Sequence, residues 1–245
     1  MKLQGQRKVV SPIALFLLAF LLGGCSKQDD AVVKKLLELE SLDYTTASTT
    51  DARIEELRKE VSKYKSIVEE KVKATDKLLT YYRLLALAYM DRGMYGPALE
   101  ALDQAIRIAP EQPGLFLYRG IAAARLAKGI QNLEERATLL AEAERSYLRC
   151  LDIDKTYVDA LYGLSILYVF ELNAPSKAIP LLQRLLEKQK QHVGAMFLLA
   201  RAFLSQGKIE DALALYDRII NTPVAGSKRE EARKLKEQVL QGAIR

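Results

Sequence analysis

The chain has 245 residues, of which 49% are hydrophobic and 28% are charged, an ordinary composition for a globular protein. It contains one His and two Cys, which argues against a zinc site built from these residues and against a disulfide scaffold. Gly and Pro are scarce, and neither occurs between Gly24 and Gly93. The composition therefore argues against a turn-rich β-sandwich in the first third of the chain and favours long helices.

The N-terminus has the pattern of an export signal. Lys2, Arg7 and Lys8 form a positive segment, and an apolar run of ten residues follows at 13–22. A helix that spans a membrane needs roughly 20 apolar residues, so this run is too short to span one. We therefore predict a cleaved signal peptide over residues 1–24.

The end of this segment, Leu22-Gly23-Gly24-Cys25, resembles a bacterial lipobox, in which small residues precede an invariant cysteine. The resemblance implies that Cys25 is lipidated with fatty acyl chains such as palmitate; the alternative is a chance cysteine beside a plain signal peptide. Two or three acyl chains anchor a protein without a membrane-spanning helix. Ser26, rather than Asp, follows the cysteine, which by the sorting rule of enteric bacteria favours the outer membrane. We expect a lipid-anchored protein of the bacterial cell envelope that faces the periplasm.

Removal of the signal peptide changes what the charge implies. The formal charge falls from +6 to +3, because three basic residues and no acidic ones are lost. This balance gives no reason to expect nucleic acid as a partner. Once Cys25 is lipidated, Cys150 is the one remaining thiol. We expect it to be a small buried residue, with an intermolecular disulfide or redox switch as the alternative.

Residues 25–50 are predicted to be a lipid tether and linker, with one short amphipathic helix at 31–39. An amphipathic helix follows over 51–78, where apolar residues recur at three- and four-residue steps between charged ones. These residues are Ile54, Leu57, Val61, Tyr64, Val68 and Val72. Such a narrow apolar stripe favours either packing within the chain or the seam of a homo-oligomer.

The rest of the chain repeats with a period of 34 residues. One series of small residues, separated by 34, 45 and 35 positions, comprises Ala86, Gly120, Ser165 and Ala200. A second series, separated by 45, 35 and 34 positions, comprises Ala98, Ala143, Ala178 and Ala212. Insertions of eleven residues after Gly120 and of one residue after Ser165 bring both series onto one period. This arithmetic predicts four helix-turn-helix units with elaborated turns over residues 79–226.

The residues around these positions resemble the tetratricopeptide repeat (TPR) family. The first unit has the aromatic, apolar, small and proline positions of the family pattern at Tyr82, Leu85, Ala86, Tyr89, Ala98, Leu102, Ala105 and Pro110. The other units keep most of it, although the second has Ala123 in place of a tyrosine and Cys150 in place of an alanine. The resemblance implies an all-α TPR solenoid in which each unit covers the apolar face of its neighbour.

Two local signals refine this architecture. The spacing of Ser and Glu at 227–230 is that of a capping box, so we predict a C-terminal capping helix over 227–245. In the second unit, Gly129 is predicted to end the first helix and Asn132 to begin the second, which we expect over about 133–151. That elongated hairpin is either a tolerated surface elaboration or a protruding contact element.

No pattern in the sequence predicts an enzyme. It has no Gly-rich phosphate loop, no Ser nucleophile elbow and no pair of metal ligands. His192 is expected to be exposed in a loop between units and to have no partner. The carboxylates lie among Lys and Arg on helix surfaces, where a solvated charged face is the ordinary interpretation. We expect no catalytic residue, no metal and no cofactor.

The family resemblance implies a concave groove lined by the first helix of each unit. Its positions in this chain are Arg83, Leu87, Met90, Leu117, Ile121, Ala124, Arg125, Tyr162, Ile166, Val169, Phe197, Arg201 and Leu204. Leu87 occupies a place where TPR domains that clamp a C-terminal carboxylate need Asn, so that activity is not implied. The mostly apolar lining suits an amphipathic helix of a partner. It also suits the chain's own helix at 31–39 or at 51–74, or a plain packed core.

We therefore predict a membrane-anchored TPR scaffold or adaptor lipoprotein that binds a partner protein or peptide in its groove. Two alternatives stay open. One is a component of a solute-uptake system that binds a small apolar ligand in a tunnel lined by Leu87, Ile121 and Ile166. The other is a self-assembling structural lipoprotein that forms homo-oligomers through the helix between Ile54 and Val72.

Overall fold

The computed structural model describes residues 51–242, which form nine α-helices, one π-helical turn, one 3-10 turn and no strand. The helices are α1 (Asp51–Asp91), α2 (Tyr95–Ile108), α3 (Pro113–Gly129), α4 (Leu133–Ile153), α5 (Val158–Ile166), α6 (Pro175–Lys188), α7 (Val193–Leu204), α8 (Ile209–Asn221) and α9 (Lys228–Leu240). The π-helical turn, Leu167–Glu171, follows α5, and the 3-10 turn, Pro223–Ala225, follows α8. The signal peptide, Cys25 and the linker at 25–50 lie outside the described residues and stay predictions.

The helices stack as a TPR solenoid, which confirms the predicted fold class. From α2 to α9 each helix packs against the next in chain order, and α3 with α5 and α5 with α7 are also in contact. The first helices of neighbouring units therefore lie side by side and form one face of the stack. Within the described residues, no helix is long and apolar enough to cross a membrane.

The two series of small residues mark the sites where helices approach most closely. Seven of the eight have no exposed surface: Ala86, Ala98, Ala143, Ala178, Ala212, Ser165 and Ala200. Large side chains fill the space between units, and those with no exposed surface include Leu102, Leu161, Leu164, Leu182, Leu185 and Ile219. The repeat register that the spacing predicts is thus the register of the core.

Helix α1 is longer than the helix predicted over 51–78. The predicted helix over 51–78 and the first helix of the first unit form one uninterrupted helix of 41 residues, because no Gly or Pro interrupts it. Contacts within the chain separate the segment up to Ile67 from a compact unit that begins at Val68. Ala86 is the one buried residue of α1.

The eleven-residue insertion lengthens both helices of the second unit. Helix α3 has 17 residues and α4 has 21, compared with 12 in α7 and 13 in α8. As predicted, α3 ends at Gly129 and Asn132 caps α4. The side-chain oxygen of Asn132 accepts hydrogen bonds from the backbone N–H groups of Glu134 and Glu135 at 2.9 and 3.0 Å.

The predicted capping box at the start of α9 is wrong, although the helix begins where it was expected. Ser227 has helical angles, φ −63° and ψ −21°, and its side chain makes no capping hydrogen bond. A capping side chain needs an extended backbone, and here Gly226, with φ +51°, makes the reversal before α9. The Glu230 carboxylate accepts a hydrogen bond from Arg233 instead of one from Ser227.

Candidate functional site

The first helices of the second, third and fourth units line two adjoining clefts. The first cleft, of about 360 Å³, is lined by Ile121, Ala124, Arg125, Lys128, Tyr147, Asp159, Tyr162, Gly163, Ile166, Leu167 and Glu171. The second, of about 540 Å³, is lined by Tyr162, Ile166, Phe170, Val193, Gly194, Phe197, Leu198, Arg201, Leu204, Tyr216, Lys228, Glu231 and Leu235. Tyr162 and Ile166 belong to both clefts. The two clefts therefore form one surface, which we call the concave groove.

Tyr147 lies at the floor of the groove between two glycines. A Cβ atom built on Gly120 would lie 3.0 Å from the Tyr147 ring, and one built on Gly163 would lie 2.8 Å from it. Both distances are shorter than an ordinary carbon–carbon contact, so only glycine lets α3 and α5 approach the ring this closely. Burial raises the pKa of Tyr147, which keeps its hydroxyl neutral.

The single-residue insertion in the third unit lies beside the groove, at the end of α5, where the helix ends in a π-helical turn. The N–H of Leu172 donates to the carbonyl of Leu167 at 3.0 Å, an i to i+5 bond. The bonds that close the turns of the first, fourth and third units are Met94 N–H to Tyr89 O, Lys208 N–H to Phe203 O, and Ala174 N–H to Tyr168 O. These bonds span five, five and six residues, which locates the extra residue between Tyr168 and Ala174. The extra residue therefore lies in the π-helical turn or in the loop that follows it. Two residues of this π-helical turn line the groove: Glu171 in the first cleft and Phe170 in the second.

Glu171 links the π-helical turn to the second unit. Its carboxylate, with 12% of the side chain exposed, lies 2.8 Å from an Arg136 nitrogen and 3.5 Å from the Lys128 ammonium. Opposite, the Arg201 guanidinium lies 4.9 Å from the centre of the Phe170 ring. Arg125 has no hydrogen bond or ion pair with any described residue. The groove thus combines an apolar floor with Arg125 and Arg201 as cations free of carboxylate partners within residues 51–242.

In the second cleft, Tyr162 packs against the loop before α7. Its ring centre lies 4.8 Å from that of His192, and a Cβ atom on Gly194 would lie 2.6 Å from its hydroxyl oxygen. The expectation that His192 is exposed and has no partner is wrong. The residue is half-buried and caps α7, because its Nδ1 accepts a hydrogen bond from the N–H of Ala195 at 3.0 Å. Burial raises the pKa of Tyr162, so its hydroxyl stays neutral.

The structure brings together most of the groove positions carried over from the family in units two to four. Those that line the clefts are Ile121, Ala124, Arg125, Tyr162, Ile166, Phe197, Arg201 and Leu204. Leu117 is buried in the core, and Val169 packs against that core. Arg83, Leu87 and Met90 of the first unit line neither cleft. Of the three residues of the predicted tunnel, Ile121 and Ile166 line the first cleft and Leu87 lies outside both.

The groove residues that sequence reasoning missed include Lys128, Tyr147, Phe170 and Glu171. The insertion arithmetic pointed to the π-helical turn that carries the last two, but it could not distinguish a lengthened turn from a bulge in the helix. It also missed α9, which supplies Lys228, Glu231 and Leu235 to the second cleft. The capping helix is therefore also a wall of the groove.

Cys150 lies away from this surface, and its predicted burial is confirmed. It has no exposed surface, and burial raises the pKa of its thiol to about 11. Among residues 51–242, no group of three or more His, Cys, Asp or Glu side chains is placed to hold a metal ion.

Comparison with known proteins places the chain among repeat proteins. Two family models of the tetratricopeptide repeat match it, over residues 79–112 and 169–238. A TPR repeat-containing protein of Borreliella burgdorferi is 26% identical over 211 residues, which are 86% of this chain and 90% of that protein. A thermophilic TPR protein of Thermus thermophilus aligns with a TM-score of 0.54 and 19% identity, over 77% of this chain and 96% of that one. MamA (41-end) of Desulfovibrio magneticus aligns with a TM-score of 0.53 and 16% identity, over 67% of this chain and 94% of that one.

Proposed function

The chain is a tetratricopeptide repeat protein, and on that premise we propose that it is a lipid-anchored scaffold of the bacterial cell envelope whose concave groove binds a partner protein or peptide. Proteins of this family are generally non-catalytic scaffolds for interactions between proteins. The partner side of the proposal rests on the groove, and the envelope side rests on the N-terminal sequence. The two parts can be tested separately.

The observation that carries the groove proposal is the continuity of the two clefts through Tyr162 and Ile166. Apolar side chains from three successive units line one surface, and no element among residues 68–242 covers it. A helix is about 10 Å wide, so one amphipathic helix of a partner can place its apolar stripe on such a floor. Arg125 and Arg201 then lie where they can pair with acidic or polar groups at the edges of that helix.

Capture from native membranes tests the groove. An affinity-tagged full-length protein is crosslinked and purified, and compared with an Arg125→Glu, Phe170→Asp variant. Both positions are exposed, so we expect the variant to fold, which circular dichroism checks. A matched control is Leu133→Asp, because Leu133 is 78% exposed and lines neither cleft. The proposal expects a partner that is captured by the wild type and by the control but lost with the groove variant; a partner captured equally by all three contradicts it.

Lipid labelling tests the anchor. Cys25 of the lipobox-like segment is the proposed acylation site, and the outer membrane facing the periplasm is the proposed location. Metabolic labelling with a palmitate analogue should label the wild type and not Cys25→Ala, and only the wild type should fractionate with membranes. Equal labelling of the wild type and Cys25→Ala would contradict the anchor, as would an unlabelled wild type that is cleaved at a site other than the one before Cys25. Neither result affects the groove proposal.

A further inference from the structure

Helix α1 carries an apolar stripe that is open to solvent. Ile54, Leu57, Val61, Tyr64 and Val68 recur at alternating three- and four-residue steps, and each exposes between 38% and 66% of its surface. This spacing is a heptad repeat, with Ile54, Val61 and Val68 at the a positions and Leu57 and Tyr64 at the d positions. The next d position is Lys71, which ends the pattern. We call these five residues the α1 stripe.

The residue types of the α1 stripe specify the geometry of a partner helix. All three a positions hold β-branched residues, and the first d position holds Leu. Among parallel coiled coils, this combination favours two helices over higher oligomers. A second copy of α1 meets this requirement, because each a and d residue of the stripe then packs against the same residue of the other copy.

The residues that flank the stripe favour the same arrangement. In a parallel pair each g position faces the following e position of the partner, which places Glu60 beside Lys65 of the other copy and Ile67 beside Val72. An antiparallel pair would instead bring the basic e residues Arg58 and Lys65 together along one edge. The like-charged g–e pair of the parallel form, Arg53 with Arg58, is moderated because these residues pair within the helix with Glu56 and Glu55.

The exposed area is of the right order for a modest interface. The stripe with its flanking Ile67 and Val72 offers on the order of 600 Å² per copy, compared with roughly 800 Å² per partner in a standard interface. Such a seam is weak in dilute solution, but two chains confined to one membrane surface meet at a high effective concentration. A parallel pair also keeps the N-terminal ends of both α1 helices at the same end, which suits two chains anchored through Cys25 in one membrane, as proposed above.

We infer that the α1 stripe is the seam of a parallel, two-stranded homodimer. The inference is independent of what the groove binds. It predicts that the two copies of each a residue face each other. With helix axes 8–10 Å apart and Cα atoms about 2.3 Å from each axis, paired a residues have Cα atoms about 5 Å apart, whereas f residues are about 14 Å apart.

Disulfide trapping in native membranes tests this inference on the full-length chain. Ile54→Cys, Val61→Cys and Val68→Cys are compared with Ser66→Cys, an exposed f position on the opposite side of the helix. Cys150 has no exposed surface and stays unreactive, and the wild type measures any background from Cys25. Because a disulfide needs Cα atoms within about 7 Å, we expect roughly tenfold more crosslinked dimer from each a variant than from Ser66→Cys.

Two outcomes would overturn the inference in different ways. Ile54 and Val68 are 14 residues apart, about 21 Å along the helix, so an antiparallel pair can crosslink at one of the three a positions at most. That result rejects the parallel seam. Equal crosslinking at all four positions, or none, rejects the seam altogether. As a second measurement in the same membranes, the crosslinked dimer formed by Ile54→Cys should be lost when Val61→Glu is added and kept when Ser66→Glu is added.

Discussion

Replacement of Gly163 by Ala tests the packing that forms the floor of the groove. The added Cβ atom would lie 2.8 Å from Cε1 of Tyr147, about 0.7 Å or more inside ordinary carbon contact. The ring cannot move away freely, because Tyr147 is buried and Gly120 of α3 also lies against its ring, with a corresponding distance of 3.0 Å. Overpacking of this kind costs about 1–3 kcal/mol, whereas Ala gains about 1 kcal/mol over Gly in a helix. We expect a net loss of about 1 kcal/mol in the free energy of unfolding.

A double-mutant cycle separates the two terms. In a Tyr147→Leu background the ring is gone, so Gly163→Ala should stabilise the protein by up to about 1 kcal/mol, a change of sign. Urea unfolding followed by circular dichroism measures all four variants. Gly96→Ala is the matched control, since a Cβ atom there meets nothing within 4 Å, and it should be indifferent to the Tyr147 background. If Gly163→Ala has the same effect in both backgrounds, the packing argument is refuted.

Three further predictions follow from local contacts. Asn132→Ala should lower the free energy of unfolding by about 1 kcal/mol, because two backbone N–H groups lose their acceptor; thermal unfolding measures it, and Asn132→Ser should keep most of the stability. Cys150, with its pKa raised to about 11, should resist thiol reagents at pH 8 in the native state and react in denaturant, and rapid labelling of the native protein would contradict its burial. Because the folded state favours the neutral thiol, this contribution to the free energy of unfolding is present below the ordinary pKa of 9.0 and falls as pH rises towards 11. Glu171→Gln should cost about 1 kcal/mol at low salt in urea unfolding, because two basic side chains lose their ionic partner, and a cost unchanged at 1 M salt would contradict an ionic origin.

The repeat architecture was predictable because close helix packing leaves a direct trace in the sequence. Small residues must stand where helices approach each other, so the spacing from Ala86 through Gly120 to Ala200 determines the register before any coordinates are known. Helix starts were less predictable. Asn132 and Ser227 look alike in sequence, but only Asn132 has the extended backbone that a cap requires, and that difference depends on neighbouring turns.

The groove was predictable only in part, for a related reason. Family positions locate the first helices of the units, and they correctly bring Ile121 and Ile166 to one surface. They do not report where a helix bulges, and the π-helical turn moved Phe170 and Glu171 into the site. His192 shows the same limit, since its cap on α7 and its contact with a tyrosine ring arise from tertiary packing.

Site-specific photocrosslinking in native membranes tests whether the partner binds in the concave groove. A photoreactive residue replaces Phe170, which is 53% exposed in the groove, and in a matched variant it replaces Tyr81, which is 67% exposed and lines neither cleft. If the groove binds the partner, irradiation links a discrete partner at position 170 and not at position 81. The same binding predicts that Arg125→Glu weakens the crosslink at position 170. A partner trapped only from position 81, or at both positions without any effect of Arg125→Glu, would contradict the concave groove as the binding site.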